Sequence, residues 1–209
     1  GLLGPLVVLA DDGAPVELGG RQPRLVLAAL LAADGRAVSL EALIDALWGE
    51  SPPATATGTI QSYISRLRRV LGADRLRWDD AGYRLDLDGT DVDVRRFEAL
   101  VEAGRARLDA GDPGAASALL LEADGLWRGA VLGELADLEL AAGLIVRLEQ
   151  RRLAAVEDRV DADLQLGRHA ALVGELTELV AEHPLRERLQ AQLALALYRS
   201  DRQADALRA

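Results

Sequence analysis

The chain has 209 residues, a formal net charge of −10 and a hydrophobic content of 50%, which allows one or two domains with an ample core. Cysteine is absent, and neither a signal-like N-terminus nor a membrane-length apolar run is present, so we expect a cytoplasmic protein. All 24 basic residues are arginine, which excludes the lysine of a P-loop nucleotide site from this segment.

The first elements in chain order are two short strands and a helix. Residues 2–10 and 15–18 have the composition of short strands joined at Asp12-Gly13. The apolar pattern that follows predicts a helix over about 22–33.

The stretch from 42 to 71 predicts two helices separated by a proline-broken loop. Pro52 and Pro53 end the helix that precedes them. A threonine at 55, 57 or 59 offers an N-cap hydroxyl for a helix that runs to Leu71, and Gly72 is its stop signal. A short helix, a loop and a second helix form the outline of a helix-turn-helix reader of DNA.

The second of these helices has an apolar stripe and a polar face. At about 100° per residue the apolar side chains collect on one side, namely Ile60, Tyr63, Ile64, Leu67, Val70 and Leu71. We predict that the small polar residues and one arginine of the opposite face read base edges, namely Gln61, Ser62, Ser65 and Arg69. Arg66 and Arg68 flank this face and are predicted to contact phosphate. The alternative is an ordinary amphipathic helix with a solvated arginine run.

A hairpin is predicted directly after this helix. Residues 76–78 and 83–87 alternate in polarity, and 79–82 supply turn residues. Such a hairpin is the wing of a winged helix, and we predict that Arg77, Tyr83 and Arg84 contact phosphate there. Residues 59–78 hold five arginines against one acid, so the positive charge is local.

The second half of the chain predicts an all-helical domain. From Val94 onward the sequence is nearly continuous Ala, Leu, Arg and Glu with helical periodicity. Gly167, Leu172 and Pro184 match positions of a tetratricopeptide unit, and Asp201 follows Gly167 by 34 residues, which indicates stacked helix hairpins.

We find no residues that predict catalysis, a metal site or a cofactor. No nucleophile has an orienting base, and His169 and His183 lie sixteen positions apart without a cysteine. The acids of one helix stand beside arginines and predict a solvated, salt-bridged face; they are Glu157, Asp158, Asp161 and Asp163. We therefore expect a protein that is not an enzyme.

Five segments of the first half, taken together, resemble a known family. They are LLGPLVV, GGRQPRLVLAALL, ALIDALWGESPPATA, SYISRLRRVLG and AGYRLDL, and they are similar to the OmpR-type winged helix of SARP-type antibiotic regulatory activators. Segments of the second half, such as EADGLWRGAVLGEL and LALALYRSDRQADAL, resemble the bacterial transcriptional activator domain. Relatives often carry Asn or Lys near the helices, and this chain has neither.

The resemblance implies a fold and a domain organisation. We expect an α+β N-terminal winged helix over residues 1–90, followed over 91–209 by an all-α tetratricopeptide-like helical repeat domain. In relatives another helix follows the last of these motifs, so we expect a C-terminally truncated domain that ATPase or further repeat modules could follow. Because the linker at 91–96 lacks Gly, Ser and Pro, we expect Phe97, the only phenylalanine, to be buried between the domains.

The resemblance also implies a function and partners. We expect a sequence-specific transcriptional activator that binds direct repeats in promoter DNA as a homodimer and recruits RNA polymerase holoenzyme through its sigma factor, in secondary-metabolite (antibiotic) biosynthesis. In the family, the loop between the second and third helices faces polymerase, which assigns Glu50 and Ser51 to that contact. The alternative function is a non-catalytic interaction scaffold with a degenerate winged helix and a peptide-binding repeat groove.

Overall fold

The computed structural model describes residues 1–208 and divides them into two compact units. The N-terminal unit comprises residues 1–95 and 127–149, and the C-terminal unit comprises 96–126 and 150–208. The contacts therefore group the chain differently from the expected boundary near residue 90. No helix of the described residues is long and apolar enough to span a membrane.

The N-terminal unit begins with an extended segment that turns back on itself. The predicted turn at Asp12-Gly13 is present, since Gly13 N–H donates to Ala10 O at 2.8 Å and Val16 N–H donates to Val8 O at 2.9 Å. The predicted strands are reduced to two isolated bridges, Pro5 with Leu132 and Leu9 with Pro15. Pro15 lacks an N–H, which limits how far this pairing can extend.

Three helices follow and enclose the core of this unit. They are α1 (Arg21–Ala32), α2 (Leu40–Trp48) and α3 (Ala56–Leu71). Ile60, Ile64 and Leu67 of α3 are almost completely buried, as the predicted stripe requires. Burial of each such side chain contributes about 1.5–3 kcal/mol to folding, and their common side leaves the opposite face of α3 outside.

The two ends of α3 differ in how well the sequence predicted them. Gly72 ends the helix with φ +99°, a left-handed conformation that glycine adopts without penalty. Thr55 occupies the N-cap position, but its side chain makes no cap hydrogen bond, so the predicted hydroxyl cap is absent there. Thr59 Oγ1 instead donates to the carbonyl of Thr55 at 2.9 Å.

A two-stranded antiparallel hairpin, β1 (Leu76–Asp79) and β2 (Gly82–Leu85), follows α3. Tyr83 and Val38 exchange backbone hydrogen bonds of 2.8 and 2.9 Å, which attach the hairpin to the segment before α2. Gly82 has φ +140°, and a Cβ there would lie 2.2 Å from the Val38 carbonyl oxygen. Only glycine fits this close approach, and the predicted winged helix is thereby confirmed.

Residues 127–149 join the N-terminal unit through its first residues and α1. Arg128 N–H donates to Leu3 O at 2.7 Å, and Leu132 N–H donates to Leu2 O at 2.9 Å. Two ion pairs add to these bonds, Arg21–Asp137 at 2.6 Å and Arg24–Glu134 at 2.9 Å. The segment includes two short 3-10 helices, Gly133–Leu135 and Glu139–Ala141.

The remaining helices carry the repeat that the sequence predicts. They are α4 (Asp93–Asp109), α5 (Pro113–Asp124), α6 (Ala142–Gln165), α7 (His169–Glu182), α8 (Glu187–Tyr198) and α9 (Gln203–Ala206). The three divisions between the units fall within α4, after α5 and within α6. In the C-terminal unit, apolar side chains of α6, α7 and α8 form a common core that includes Val160, Leu176 and Leu189.

Three turns of the C-terminal unit share one geometry. Gly111, Gly167 and Asp201 have φ between +60° and +79°. The N–H of each donates to the carbonyl three positions earlier, and the next N–H donates to the carbonyl five positions earlier, at 2.9–3.3 Å. This is the pattern of a Schellman helix end. Its recurrence at the predicted positions Gly167 and Asp201 confirms the tetratricopeptide-like repeat, and Gly111 adds a third turn of the same kind.

Three of the four acids that the sequence pattern identified in α6 are buried, so the prediction that this face is solvated is wrong, whereas the predicted salt bridges are present. Glu157, Asp158 and Asp163 are 4%, 6% and 5% exposed. Asp163 accepts hydrogen bonds from Ser117 at 2.8 Å, Arg159 at 2.9 Å and Arg168 at 2.6 Å. Residues of other elements cover these acids and neutralise their charge, which a single helix pattern does not reveal.

Candidate nucleic-acid interface

The polar face of α3 is exposed and continuous. All four residues that the sequence assigned to base reading are exposed on the helix surface opposite the buried stripe, namely Gln61, Ser62, Ser65 and Arg69. Ser65 Oγ donates to the Gln61 carbonyl at 2.8 Å, and its lone pairs remain available to an external donor. The structure thus brings these four residues together on one face, and their contact with bases remains a prediction.

Arg66 lies beside this face and packs over the backbone that precedes α1. A Cβ added to Gly19 would come within 2.6 Å of Arg66 Cζ and within 2.8 Å of both terminal nitrogens. Gly19 also has φ +97°. Because glycine has no side chain, the space above Gly19 is open, and the guanidinium of Arg66 lies in it. No local sequence pattern points to Gly19, because its contact with Arg66 joins residues 47 positions apart.

Arg66 and Arg69 line a cleft of about 540 Å³ at the edge of α3. The other lining residues are Ser62, Ser65 and Val70 from the helix and Glu17 from the segment before α1. Two guanidinium groups and two hydroxyls can bind phosphate oxygens and the acceptor atoms of bases. Glu17 is the acidic member of this lining, and sequence analysis did not assign it a role.

Arg68 has a different environment from its two neighbours. Its side chain is half-buried, and its Nε donates to the carbonyl oxygen of Leu76 in β1 at 2.8 Å. This bond ties α3 to the hairpin and uses one of the five donors of the guanidinium. The predicted phosphate contact would have to use the terminal nitrogens.

The hairpin presents two arginines on one face. Arg77 and Arg84 are paired across the strands and both are exposed, so their side chains project to the same side. Arg77 Nε donates to the carbonyl of Asp74 at 2.7 Å, and Arg84 forms an ion pair of 2.8 Å with Asp79. Each guanidinium keeps further donors for an anion such as phosphate.

The turn acid and the aromatic pair complete the hairpin. The pKa of Asp79 is lowered, chiefly by a hydrogen bond from the Ala81 amide and further by Arg84. Tyr83 is 7% exposed, whereas Trp78 is 54% exposed, and the two rings meet edge to face with centroids 4.7 Å apart. Burial leaves Tyr83 little surface for the predicted phosphate contact, and Trp78 is the aromatic side chain that reaches solvent.

Two further predicted residues lie in the loop between α2 and α3. Glu50 and Ser51 are exposed, as are Pro52 and Pro53 after them. The Ser51 N–H donates to the carbonyl of Trp48 at 3.3 Å, which continues the end of α2. The loop therefore presents its polar side chains from a restricted backbone.

Phe97, the last predicted site residue, is fully buried. It belongs to the C-terminal unit, in α4. Val92 and Val94, which precede it, are each 8% exposed. The burial agrees with a structural role for this side chain, and the expected position between the domains remains a prediction.

Comparison with known proteins identifies two families along the chain. Residues 13–85 match the family described as "Transcriptional regulatory protein, C terminal", and residues 92–209 match the "Bacterial transcriptional activator domain". The first match contains α1 to α3 and the hairpin, and the second begins just before α4.

Individual relatives extend these matches over the whole chain. Regulatory protein DnrI of Streptomyces peucetius is 42% identical over 100% of this chain and 80% of its own length. Regulatory protein AfsR of Streptomyces griseus is 45% identical over 90% of this chain, which is only 19% of AfsR. The solved structure of Mycobacterium tuberculosis EmbR in complex with a low affinity phosphopeptide superimposes with a TM-score of 0.90 at 40% identity. That match covers 99% of this chain and 56% of EmbR.

Proposed function

Because the chain belongs to the SARP-type family of transcriptional activators, with an OmpR-type winged helix before a bacterial transcriptional activator domain, we propose that it binds promoter DNA sequence-specifically and activates transcription there. The helix proposed to contact the DNA bases is α3. The runner-up is a non-catalytic scaffold that uses the same two folds to hold other proteins.

The exposed face of α3 is the observation that carries this proposal. An α-helix with its side chains is about 10–12 Å across, and the major groove of B-DNA is about 12 Å wide. Small side chains at Ser62 and Ser65 let the helix backbone approach the bases. Gln61 and Arg69 have the amide and guanidinium groups that form paired hydrogen bonds with adenine and guanine. A protein-binding scaffold has no need of this combination.

The charge distribution supports binding that depends on sequence and on paired sites. The net charge of −10 opposes attraction to DNA at long range, but residues 59–78 hold five arginines against one acid. Nonspecific affinity should therefore be modest, with phosphate contacts from Arg66, Arg77 and Arg84. We propose that two chains bind a direct repeat as a homodimer, so that two sets of base contacts add.

Activation requires a surface that DNA does not cover. We propose that Glu50 and Ser51 contact RNA polymerase holoenzyme at its sigma factor, because in the family that the sequence resembles the loop between the second and third helices faces polymerase. The two prolines lower the entropy that the loop loses on binding. The regulated genes are proposed to be those of secondary-metabolite biosynthesis, and the protein is proposed to act in the cytoplasm.

Selection of DNA from a pool of randomised duplexes tests the proposed function. The wild-type chain should enrich one sequence, which we term the selected duplex, and should protect it in a footprint. Purified polymerase holoenzyme should then transcribe more from a promoter that carries this sequence when the chain is added. A scaffold would enrich no sequence, and that result would reject the DNA-binding proposal in favour of the runner-up.

A further inference from the structure

One acidic side chain lies in the cleft that the arginines of α3 line. Glu17 is exposed and borders the same space as Arg66, Arg69 and the two serines. A carboxylate in this position is unexpected on a surface that faces the phosphates of DNA, because the two negative charges repel each other. The position of the Glu17 carboxylate is explained if this group takes part in DNA binding.

The carboxylate of Glu17 is not held by a partner within the protein. Two arginines line the same cleft, Arg66 and Arg69, and the guanidinium of Arg66 lies over Gly19. No ion pair or hydrogen bond of the described residues involves the Glu17 side chain. The carboxylate thus remains a free acceptor at the edge of the cleft.

We propose that Glu17 is a specificity determinant of the DNA-binding face and accepts a hydrogen bond from the exocyclic amino group of a cytosine in the major groove. This proposal rests on the proposed function of α3. Acidic side chains accept from the cytosine amino group, whereas guanine and thymine offer a carboxylate only acceptor atoms in this groove, and adenine sets its N7 acceptor beside its amino group. A site with cytosine at this position satisfies the carboxylate, and a site with guanine or thymine leaves it unpaired.

The same carboxylate also weakens binding to random DNA. On a duplex without cytosine at this position, Glu17 lacks its preferred donor and still repels the phosphates near Arg66 and Arg69. A loss of its charge should therefore increase affinity for random duplexes while it removes discrimination at one base pair. Affinity for random DNA rises and discrimination at one base pair falls. A specificity determinant shows both effects, whereas a residue that only adds negative charge shows the first alone.

Glu17→Gln and Glu17→Ala test this inference, with Glu102→Gln as a matched control. Glu102 is exposed in the C-terminal unit, and its replacement changes the net charge equally. We expect the Glu17 variants to bind random duplexes more tightly than the wild type and to lose about tenfold in the ratio of selected to random affinity. Selection with each variant should lose the cytosine preference at one position, while Glu102→Gln keeps it.

Three results would overturn the inference. An equal increase in affinity for selected and random duplexes would show a general charge effect, and an equal decrease would show a structural role. Unchanged binding would show that Glu17 lies outside the interface. If the wild type enriches no sequence, the proposed function fails first, and that outcome is distinct because it appears before any variant is compared.

Discussion

Arg68 in the middle of the exposed arginine run donates its Nε–H to the carbonyl oxygen of Leu76 at 2.8 Å. The bond crosses from α3 to the first strand of the hairpin. It gives Arg68 a structural task that its two exposed neighbours do not share. The three arginines of this run are therefore expected to respond differently to the same substitution.

Arg68→Ala should lower the free energy of unfolding by about 1–2 kcal/mol, because the Leu76 carbonyl loses a charged donor. Arg69→Ala is the matched control, since Arg69 is exposed, and its effect on stability should stay within about 0.5 kcal/mol. Urea unfolding measures both values. Equal stability of the two variants would mean that the bond does not hold the hairpin in solution.

Gly19→Ala should weaken DNA binding through Arg66. The new Cβ would occupy the space of the guanidinium, so Arg66 would have to leave its position. Arg66→Ala alone should lower affinity for selected and random duplexes together and reduce the salt slope by about one unit. In the Arg66→Ala background, Gly19→Ala should have no further effect on binding.

Gly13→Ala is the control for this cycle, because Gly13 also has a positive φ of +81° and a Cβ there meets no atom within 4 Å. It should leave affinity unchanged in both backgrounds. Additive losses from Gly19→Ala and Arg66→Ala would contradict the account, since additivity indicates that the two residues act independently.

Asp163→Ala should lower the free energy of unfolding by about 1–3 kcal/mol, because the buried Ser117 hydroxyl loses its acceptor and Arg159 loses one of its two acidic partners. Glu178→Ala, on an exposed face of α7, should change stability by less than about 0.5 kcal/mol. Thermal or urea unfolding gives both values. A small effect at Asp163 would support the solvated face that its sequence pattern suggests.

Replacement of Glu50 and Ser51 by alanine should reduce transcription and leave DNA binding intact. Both residues are exposed in the loop after α2, outside the polar face of α3. The measurement is transcription with purified polymerase holoenzyme, with a footprint on the same template as the control. A parallel loss of footprint and transcription would make the loop a structural element only.

The sequence predicted what short patterns determine. The stripe of Ile60, Ile64 and Leu67 placed the polar face of α3, and Gly72 marked the end of that helix. The 34-residue spacing of Gly167 and Asp201 located two turns whose backbone geometry is the same. These features depend on side-chain periodicity and on backbone conformations that few residues adopt.

Contacts between distant residues lay outside such patterns. The space at Gly19 for Arg66 and the bond from Arg68 to Leu76 depend on how elements pack. The burial of Asp163 depends on Ser117 and Arg168, which come from outside α6. The same holds for residues 127–149, whose place in the N-terminal unit follows from backbone bonds to Leu2 and Leu3.

The affinity of Arg69→Ala for the selected duplex and for random DNA tests the central claim that the exposed face of α3 reads base sequence. If Arg69 contacts a base, the variant should lose about 1–3 kcal/mol of binding free energy on the selected duplex and almost none on random DNA. Selection with the variant should relax the preference at one base pair. An equal loss on both kinds of DNA would show that Arg69 contacts only the backbone, and it would contradict the assignment of this face to base reading.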